Sequence, residues 1–342
     1  MPRLAFVTGG TGFVGSWVVA ELLDRGYAVR ALVRSDPKWL AEYDVEAVRG
    51  DLGDADALAA GVDGADLVVH VAGLTRARDQ ATLDRANVDG TVAVLDAVRG
   101  RGGAGGAGPQ PGEAGAAPRV VVTSSLEAMG PNAVRPDGTP VPATEADPPR
   151  PISMYGRSKA RMEAAVAERH GGLGVTVVRP PAVYGPREAD IYEMVRGAAR
   201  GLFPVVGRGD VPRLSLVHAR DLARGMVDLA EAPAAAGETY FVGGPAYAWD
   251  EVRRAVEGAL GRRTLRLPVP SGLLGGVGAL AERVGGLVGT LPPLTRDKAV
   301  AARYAWTCSS DKARRDVGYA PRVGLDEGMA EAVAWYRRAG WL

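Results

Sequence analysis

The sequence predicts an α/β fold, a doubly wound parallel sheet with a smaller C-terminal lobe. Two features of the 342 residues lead to this prediction. Short β-branched runs alternate with longer helical patterns up to about residue 180, which is typical of right-handed βαβ crossovers. A glycine-rich loop also joins the first of these runs to the first helical pattern.

The predicted elements divide the chain into two parts. Strands are predicted at 4–7, 28–33, 45–48, 67–70, 119–123, 175–179 and 238–242, and helices at 15–25, 83–98, 191–201, 219–231, 249–260 and 325–339. Residues 1–180 are expected to form a nucleotide-binding domain. Residues 181–342 are expected to form a substrate-binding lobe, interleaved with the end of the sheet. Gly, Ala and Pro dominate residues 100–118, which predict a mobile surface loop away from the ligand crevice.

The composition argues against several classes of protein. The 41 basic and 40 acidic residues nearly cancel, so there is no electrostatic footprint for nucleic acid or an anionic membrane. One cysteine, Cys308, allows neither an intrachain disulfide nor a thiolate zinc cluster, and the three histidines lack metal-ligand spacing. The N-terminus lacks the apolar core of a signal peptide, so we expect a cytoplasmic protein without a bound metal.

The strongest motif is the glycine-rich loop at residues 8–15, which reads Thr-Gly-Gly-Thr-Gly-Phe-Val-Gly. Read as G-x-G-x-x-G, its glycines are Gly10, Gly12 and Gly15. The first permits a tight turn, the second lets the backbone approach a pyrophosphate, and the third lets helix and strand pack closely. The following helix offers unpaired amides to the phosphates. The loop therefore predicts a dinucleotide site on a Rossmann-type sheet.

The end of the second strand indicates which dinucleotide binds. Sites for NAD place an acid about twenty residues after the loop, where it binds the ribose 2′-hydroxyl. This chain has Arg34 at the strand end, a fork-shaped cation that suits a 2′-phosphate. The sequence therefore predicts NADP over NAD. The alternative interpretation is a solvated arginine beside Asp36.

Two further strand ends fit the same cofactor. The carboxylate of Asp51, which precedes Leu52, can accept a hydrogen bond from the adenine amino group. The small residues of Val71-Ala72-Gly73 leave room for the nicotinamide ribose. His70, just before them, is interpreted as a satisfied core residue rather than a catalyst.

A phenol and an ammonium lie one helical turn apart at Tyr155 and Lys159. Ser153 is the expected N-cap of their helix, and Gly171-Gly172 are expected to end it. A free tyrosine has a pKa near 10, and a nearby cation favours the phenolate. We therefore expect Lys159 to lower the pKa of Tyr155 toward neutrality. Ser125, at the carboxyl end of a strand, is expected to donate a hydrogen bond to the substrate's carbonyl oxygen.

Together these motifs resemble the extended short-chain dehydrogenase/reductase family. That family includes nucleotide-sugar epimerases, 3β-hydroxysteroid dehydrogenases and dihydroflavonol reductases. The likeness covers nearly the whole chain, and residues 265–342 resemble the branch of hopanoid-associated sugar epimerases. It also rests on the motifs Asn87-Val88-Asp89-Gly90-Thr91, Ser124-Ser125 with Gly130, and Arg179-Pro180 with Tyr184-Gly185-Pro186.

The resemblance implies a Ser-Tyr-Lys triad. In it Ser125 orients and polarises the substrate, Tyr155 is the acid or base, and Lys159 tunes Tyr155 and holds the ribose. It also implies a small-molecule substrate and a homodimer formed through two helices per subunit, one of them carrying Tyr155. The cofactor contacts that follow are Gly9, Gly10, Thr11, Gly12, Phe13, Val14, Gly15, Arg34, Asp51, Leu52, Val71, Ala72, Gly73, Asn87, Thr123, Ser124, Tyr155, Lys159, Pro180, Pro181 and Val183.

Departures from the family patterns favour a reductase. Where sugar-nucleotide epimerases resemble R-Y-F-N, this chain has Ala182 in place of the asparagine that contacts the diphosphate. Leu214 fills another arginine position of those enzymes, although Arg213 is one residue away. Leu126 stands where dehydratases carry their catalytic acid. Glu127 is interpreted as a loop carboxylate more readily than as a second base.

The sequence thus predicts an NADP(H)-dependent oxidoreductase that moves a hydride between nicotinamide and a carbonyl or alcohol carbon of a small, fairly apolar substrate. Two alternatives stay open, an NAD-dependent sugar-nucleotide epimerase and a non-catalytic NADP-binding regulator. The intact Ser-Tyr-Lys set speaks against the regulator. Residues 265–294 would suit a lid over an apolar substrate, although ordinary packing of the lobe is the simpler interpretation.

Overall fold

The computed structural model describes residues 2–101, 117–206, 213–269 and 300–342. Most of the loop predicted at 100–118 and of the lid considered at 265–294 lies outside the described residues. In the part of the chain that is described, no helix is both long and apolar enough to cross a membrane.

A seven-stranded parallel sheet forms the centre of the protein. The strands of the chain are β1 Leu4–Thr8, β2 Ala28–Val33, β3 Glu46–Arg49, β4 Leu67–His70, β5 Arg119–Thr123, β6 Thr176–Arg179, β7 Ala182–Tyr184, β8 Leu202–Val206, β9 Arg213–His218, β10 Thr239–Phe241, β11 Ala246–Ala248 and β12 Leu265–Val269. The central sheet has the order β10-β6-β5-β4-β1-β2-β3, and its neighbours all pair in parallel. The order reverses between β1 and β4, where doubly wound folds bind their ligands.

Helices connect these strands. They are α1 Phe13–Asp24, α2 Ala55–Val62, α3 Gln80–Asp84, α4 Gly90–Arg101, α5 Met154–His170, α6 Asp190–Ala199, α7 Ala219–Glu231, α8 Trp249–Leu260, α9 Asp311–Val317 and α10 Leu325–Arg338. The single helix predicted at 83–98 is longer, because a π-helical turn at Arg85–Asp89 joins α3 to α4. Helix α2 was not predicted, although Asp54 caps it by accepting from the Ala57 amide at 3.0 Å.

Two apolar layers cover the sheet. Along β1, Val7 packs into the layer of α1 and α7, and Phe6 packs into the layer of α2, α4 and α5 on the opposite face. Helix α7 and strand β10 belong to the second half of the chain but complete this core. The second half therefore interleaves with the sheet.

The C-terminal lobe has its own core and two small sheets. Side chains of α6, α8 and α10 form an apolar cluster. The small sheets have the orders β11-β9-β7 and β12-β8. None of these strands was predicted from the sequence. The main sheet, by contrast, matches the predicted strands to within one residue at each end.

Candidate active site

The glycine-rich loop leaves β1 and opens α1, as the motif predicts. Gly9, rather than Gly10, adopts the left-handed conformation with φ +75°, and a Cβ there would lie 2.5 Å from the backbone nitrogen of Ala72. A Cβ on Gly15 would lie 2.1 Å from the Gly9 carbonyl oxygen. Both positions therefore require glycine.

The start of α1 is suited to an anion. Gly12 is its exposed N-cap, and the first turn contains no acidic residue. Thr11, Phe13 and Val14 surround this turn and are partly exposed. The free amides and the helix dipole together favour phosphate groups at this end.

A cationic turn follows β2. Arg34 is exposed, and no residue of the described ranges forms a hydrogen bond or ion pair with it. Asp36 instead accepts from the Lys38 amide at 2.9 Å. Arg49, at the end of neighbouring β3, donates to the Ser35 carbonyl, so a second guanidinium lies beside this turn.

The next predicted cofactor contacts follow the carboxyl ends of β3 and β4. Asp51 is exposed and accepts from the Gly53 amide at 2.8 Å. Leu52 packs against the start of α4. Val71 and Ala72 are half-buried beside the glycine loop. A Cβ on Gly73 would lie 3.5 Å from Lys159 Nζ, so this glycine leaves space beside the ammonium group.

Asn87 supports the loop after β4. Its buried carboxamide accepts from the Leu74 amide at 2.8 Å and donates to the Leu74 carbonyl at 2.9 Å and to Ser158 Oγ at 2.8 Å. Both of its N–H groups and its oxygen are thus engaged within the protein. This arrangement fixes the loop that carries Gly73 against α5.

His70 is a satisfied core residue, as predicted. Its Nδ1 lies 2.6 Å from Thr8 Oγ1, and its Nε2 lies 2.9 Å from Thr91 Oγ1. Thr91 donates its hydroxyl proton to the Asn87 carbonyl at 2.7 Å, so Nε2 must carry the ring proton. Burial lowers the pKa of His70 to about 3, with a smaller effect from Lys159. The ring is therefore neutral at physiological pH.

The three predicted triad residues lie together at the carboxyl end of β5. Ser125 Oγ accepts from the Glu127 amide at 3.1 Å, and the Ser125 hydroxyl is close enough to Tyr155 to lower the pKa of the phenol. The Lys159 ammonium donates to the Thr123 carbonyl at 2.7 Å and lies 6.0 Å from the centre of the Tyr155 ring.

Local structure holds this group in place. Ser153 caps α5 by accepting from the Gly156 amide at 2.9 Å, as predicted. The segment after β6 lies beside it, because the Pro180 carbonyl accepts from the Leu126 amide at 2.8 Å. Pro181 is buried and Val183 is half-buried in β7.

The acid–base properties differ in one respect from the sequence expectation. Burial raises the pKa of Tyr155 above its usual value near 10, and the Glu127 carboxylate raises it further, against the opposing effect of the Ser125 hydrogen bond. The expected lowering by Lys159 was wrong, because burial and a carboxylate dominate around the phenol. Burial also lowers the pKa of Lys159 to about 8, with Glu163 acting in the opposite direction.

Two carboxylates near the triad received no role from the sequence. Glu127 is half-buried, and its Oε2 accepts from Ser153 Oγ at 2.5 Å. It therefore couples the end of β5 to the N-terminus of α5 and is more than a loop carboxylate. Glu163 accepts hydrogen bonds from Arg179 and Ser124. The available signal was its position four residues after Lys159, on the same helix face.

The arrangement fits a dinucleotide and the chemistry of a carbonyl group. The side expected to bind the phosphates has a left-handed glycine, a helix N-terminus without acidic residues and the unpaired guanidinium of Arg34. A proton donor and an ammonium on α5 lie beside the carboxyl end of β5. Within the described residues, no group of three or more His, Cys, Asp or Glu side chains could hold a metal ion.

Comparison with known proteins places this site in a family. Residues 5–243 match the model of the NAD dependent epimerase/dehydratase family. The chain is 32% identical to a ceramide reductase of Caulobacter vibrioides, over 98% of this chain and 95% of the relative. It is 31% identical to 4-hydroxy-2-methyl-3-oxo-4-farnesyl-3,4-dihydroquinoline-1-oxide ketoreductase of Stigmatella aurantiaca, over 95% and 94% of the two chains.

A solved structure shows the same fold. The crystal structure of gox2253 superposes with a TM-score of 0.78 at 31% identity, covering 99% of each chain. The strand order, the glycine loop and the matches over almost the full length lead to one conclusion. The chain belongs to the NAD-dependent epimerase/dehydratase family of extended short-chain dehydrogenases/reductases, and it is an NAD(P)-dependent enzyme.

Proposed function

We propose that this enzyme is an NADPH-dependent ketoreductase that acts on an apolar, lipid-like ketone or the corresponding alcohol. The observation that carries the proposal is that the Tyr155 hydroxyl lies beside Ser125, with the Lys159 ammonium 6.0 Å from the centre of the Tyr155 ring. NADPH, when bound, supplies the hydride.

Side chains of the protein would donate the proton and stabilise the charge that develops during the transfer. Tyr155, whose pKa is raised by burial, holds its proton at neutral pH, which suits a donor to a carbonyl oxygen becoming an alkoxide. Ser125 donates a second hydrogen bond to that oxygen. Lys159 supplies positive charge that stabilises the phenolate left after the transfer.

Arg34 supports NADP over NAD. Its guanidinium is exposed at the end of β2 without a described partner, so it is available to a 2′-phosphate. Arg49 adds positive charge on the same turn. Asp36, the acid that follows this strand end, accepts the Lys38 amide through Oδ1, which favours a role for it in the turn.

The two relatives support the substrate class. One is named for the reduction of a ceramide, and the other for a ketone that carries a farnesyl chain. In this chain Leu74 is 41% exposed directly beside Gly73 at the triad, which provides an apolar surface next to the reacting group.

A sugar-nucleotide epimerase is the second candidate, favoured by the family model's name. Three positions argue against it. Ala182 has no polar side chain for a diphosphate, and Leu214 is an apolar residue of the lobe. Arg213, one position from the missing arginine, donates to the Ala246 carbonyl at 2.8 Å and pairs with Glu251 at 3.2 Å.

The test compares cofactors and substrate classes in one assay. NADPH or NADH is mixed with the purified enzyme and a long-chain keto lipid in detergent, a short aliphatic ketone, or UDP-glucose, and nicotinamide absorbance is followed. We expect NADPH consumption with the keto lipid and little with NADH. Tightly retained NAD, with sugar-nucleotide interconversion and no net oxidation, would establish the epimerase instead.

A further inference from the structure

A buried ion-pair network begins at Glu163, one helical turn after Lys159 on α5. Arg179 donates Nε to Glu163 Oε1 at 2.9 Å and Nη2 to Oε2 at 2.5 Å, and Ser124 Oγ donates to the same carboxylate. The Arg179 and Glu163 side chains are only 9% and 14% exposed. The network joins the ends of β5 and β6 to α5.

Stability alone is a weak reason for such a network. Removing two charges from water costs free energy that the pairing often fails to recover, and apolar side chains of similar volume frequently serve as well. The position of Glu163 suggests a different role for the network, because Glu163 lies one helical turn beyond Lys159 on α5.

The charges around Lys159 single out Glu163. Its Nζ donates to the Thr123 carbonyl, and burial lowers its pKa to about 8, while the Glu163 carboxylate acts to raise it. Other charged groups on the elements packed around α5 include His70 on β4, which burial holds neutral, Asp84 on α3, which Arg161 binds, and Arg85 and Asp89 on the π-helical turn. Glu127 acts on Tyr155, and Arg179 offsets part of the Glu163 charge.

We propose that Glu163, tethered by Arg179 and Ser124, is a positioning residue that keeps the Lys159 ammonium charged beside the phenol. The inference rests on the catalytic role proposed for Lys159. Without this carboxylate, the Lys159 proton is lost at lower pH, so a smaller fraction of the enzyme carries the cation near neutrality.

Direct titration of Lys159 tests the proposal without any substrate. The chain has four lysines, Lys38, Lys159, Lys298 and Lys312, so NMR of the full-length protein labelled with ¹³C and ¹⁵N at lysine is simple to assign with Lys159→Met. We expect Lys159 to titrate near pH 8 in the wild type and about one pH unit lower in Glu163→Gln. Glu163→Asp, which keeps the charge, should restore most of the difference. Glu168→Gln, the same change at an exposed position of α5, should leave the titration in place.

The alkaline limb of the kcat/KM profile for NADPH and the keto lipid should move by the same amount and in the same order of variants. A purely structural role would reduce stability and activity without moving either curve, and that result would overturn the proposal. If Glu163→Gln does not fold, Arg179→Gln keeps the carboxylate and removes its counter-charge, so it should move the Lys159 titration to higher pH instead. Failure of the proposed function appears separately, as a wild-type enzyme that consumes no NADPH.

Discussion

The amino ends and the carboxyl ends of the central strands, here called the amino edge and the carboxyl edge, carry the same kinds of side chains in different arrangements. At the amino edge, Tyr27 donates to Glu231 at 3.0 Å, and Arg25 lies 2.7 Å from carboxylate oxygens of Glu21, Asp228 and Glu231. Each cation meets an anion, and the phenol meets a carboxylate. This edge is a closed electrostatic cluster.

At the carboxyl edge the Glu163–Arg179 pair is closed as well, but the groups assigned to the reaction are open by comparison. Tyr155 has a serine as its hydrogen-bonding neighbour, Lys159 binds a backbone carbonyl, and Arg34 has no partner in the described ranges. Both tyrosines have raised pKa values, Tyr27 to about 12, and in both cases burial is the largest cause. The pKa shift alone therefore does not separate a structural phenol from a reactive one. What separates them is whether the neighbouring charges are already neutralised within the fold.

The largest expected effect is a loss of turnover when Lys159 at the carboxyl edge is replaced. Lys159→Met should lower kcat/KM by about 10²- to 10⁴-fold, because the phenolate loses its stabilising cation. Lys312→Met is the matched control, since Lys312 also lies over a tyrosine ring, 4.5 Å from the centre of Tyr240, and pairs with Glu238. Steady-state NADPH consumption should be unchanged in this control. Equal losses in the two variants would remove the distinction between the edges.

At the amino edge, removing a charge should lower stability and leave turnover unchanged. Arg25→Ala leaves three carboxylates without their shared cation and should lower the free energy of unfolding by about 2 kcal/mol, or about 30-fold in the folding equilibrium. Urea denaturation measures this change, and kcat/KM below the transition should stay at the wild-type value. A loss of activity without a loss of stability would contradict this assignment.

Cofactor preference should change by a smaller amount. Arg34→Leu should weaken NADPH binding about tenfold and leave NADH binding nearly unchanged, because only the 2′-phosphate contact is lost. Arg3→Leu removes an arginine that already binds Glu231 at the amino edge and serves as the control. Fluorescence titration with both cofactors gives the two affinities. Equal weakening for NADH and NADPH would show that Arg34 does not read the phosphate.

The smallest expected effect is the change of kcat/KM with pH near neutrality. The pKa of Lys159 is lowered to about 8, so the ammonium is present below this pH and is lost above it. The value of kcat/KM should therefore be nearly flat from pH 6.5 to 7.5 and fall about tenfold per unit well above pH 8. A profile that rises through pH 9 would indicate that neutral Lys159 is the active form.

The sequence predicted the central sheet and the triad because both have local signals. The valine-rich strands and the turn spacing of Tyr155 and Lys159 are visible in consecutive residues. The sign of the Tyr155 pKa shift has no such signal, because it depends on burial and on Glu127, which the fold brings to the phenol. Likewise the Glu163–Arg179 pair joins α5 to β6 and appears only after the sheet has formed.

One measurement tests the central claim most directly: the single-turnover rate of NADPH oxidation by Tyr155→Phe and by Tyr27→Phe, with NADPH affinity measured in parallel. We predict that Tyr155→Phe binds NADPH as the wild type does but oxidises it at least about 100-fold more slowly, while Tyr27→Phe reacts at the wild-type rate. A Tyr155→Phe enzyme that reduces the keto lipid at the wild-type rate would contradict the account.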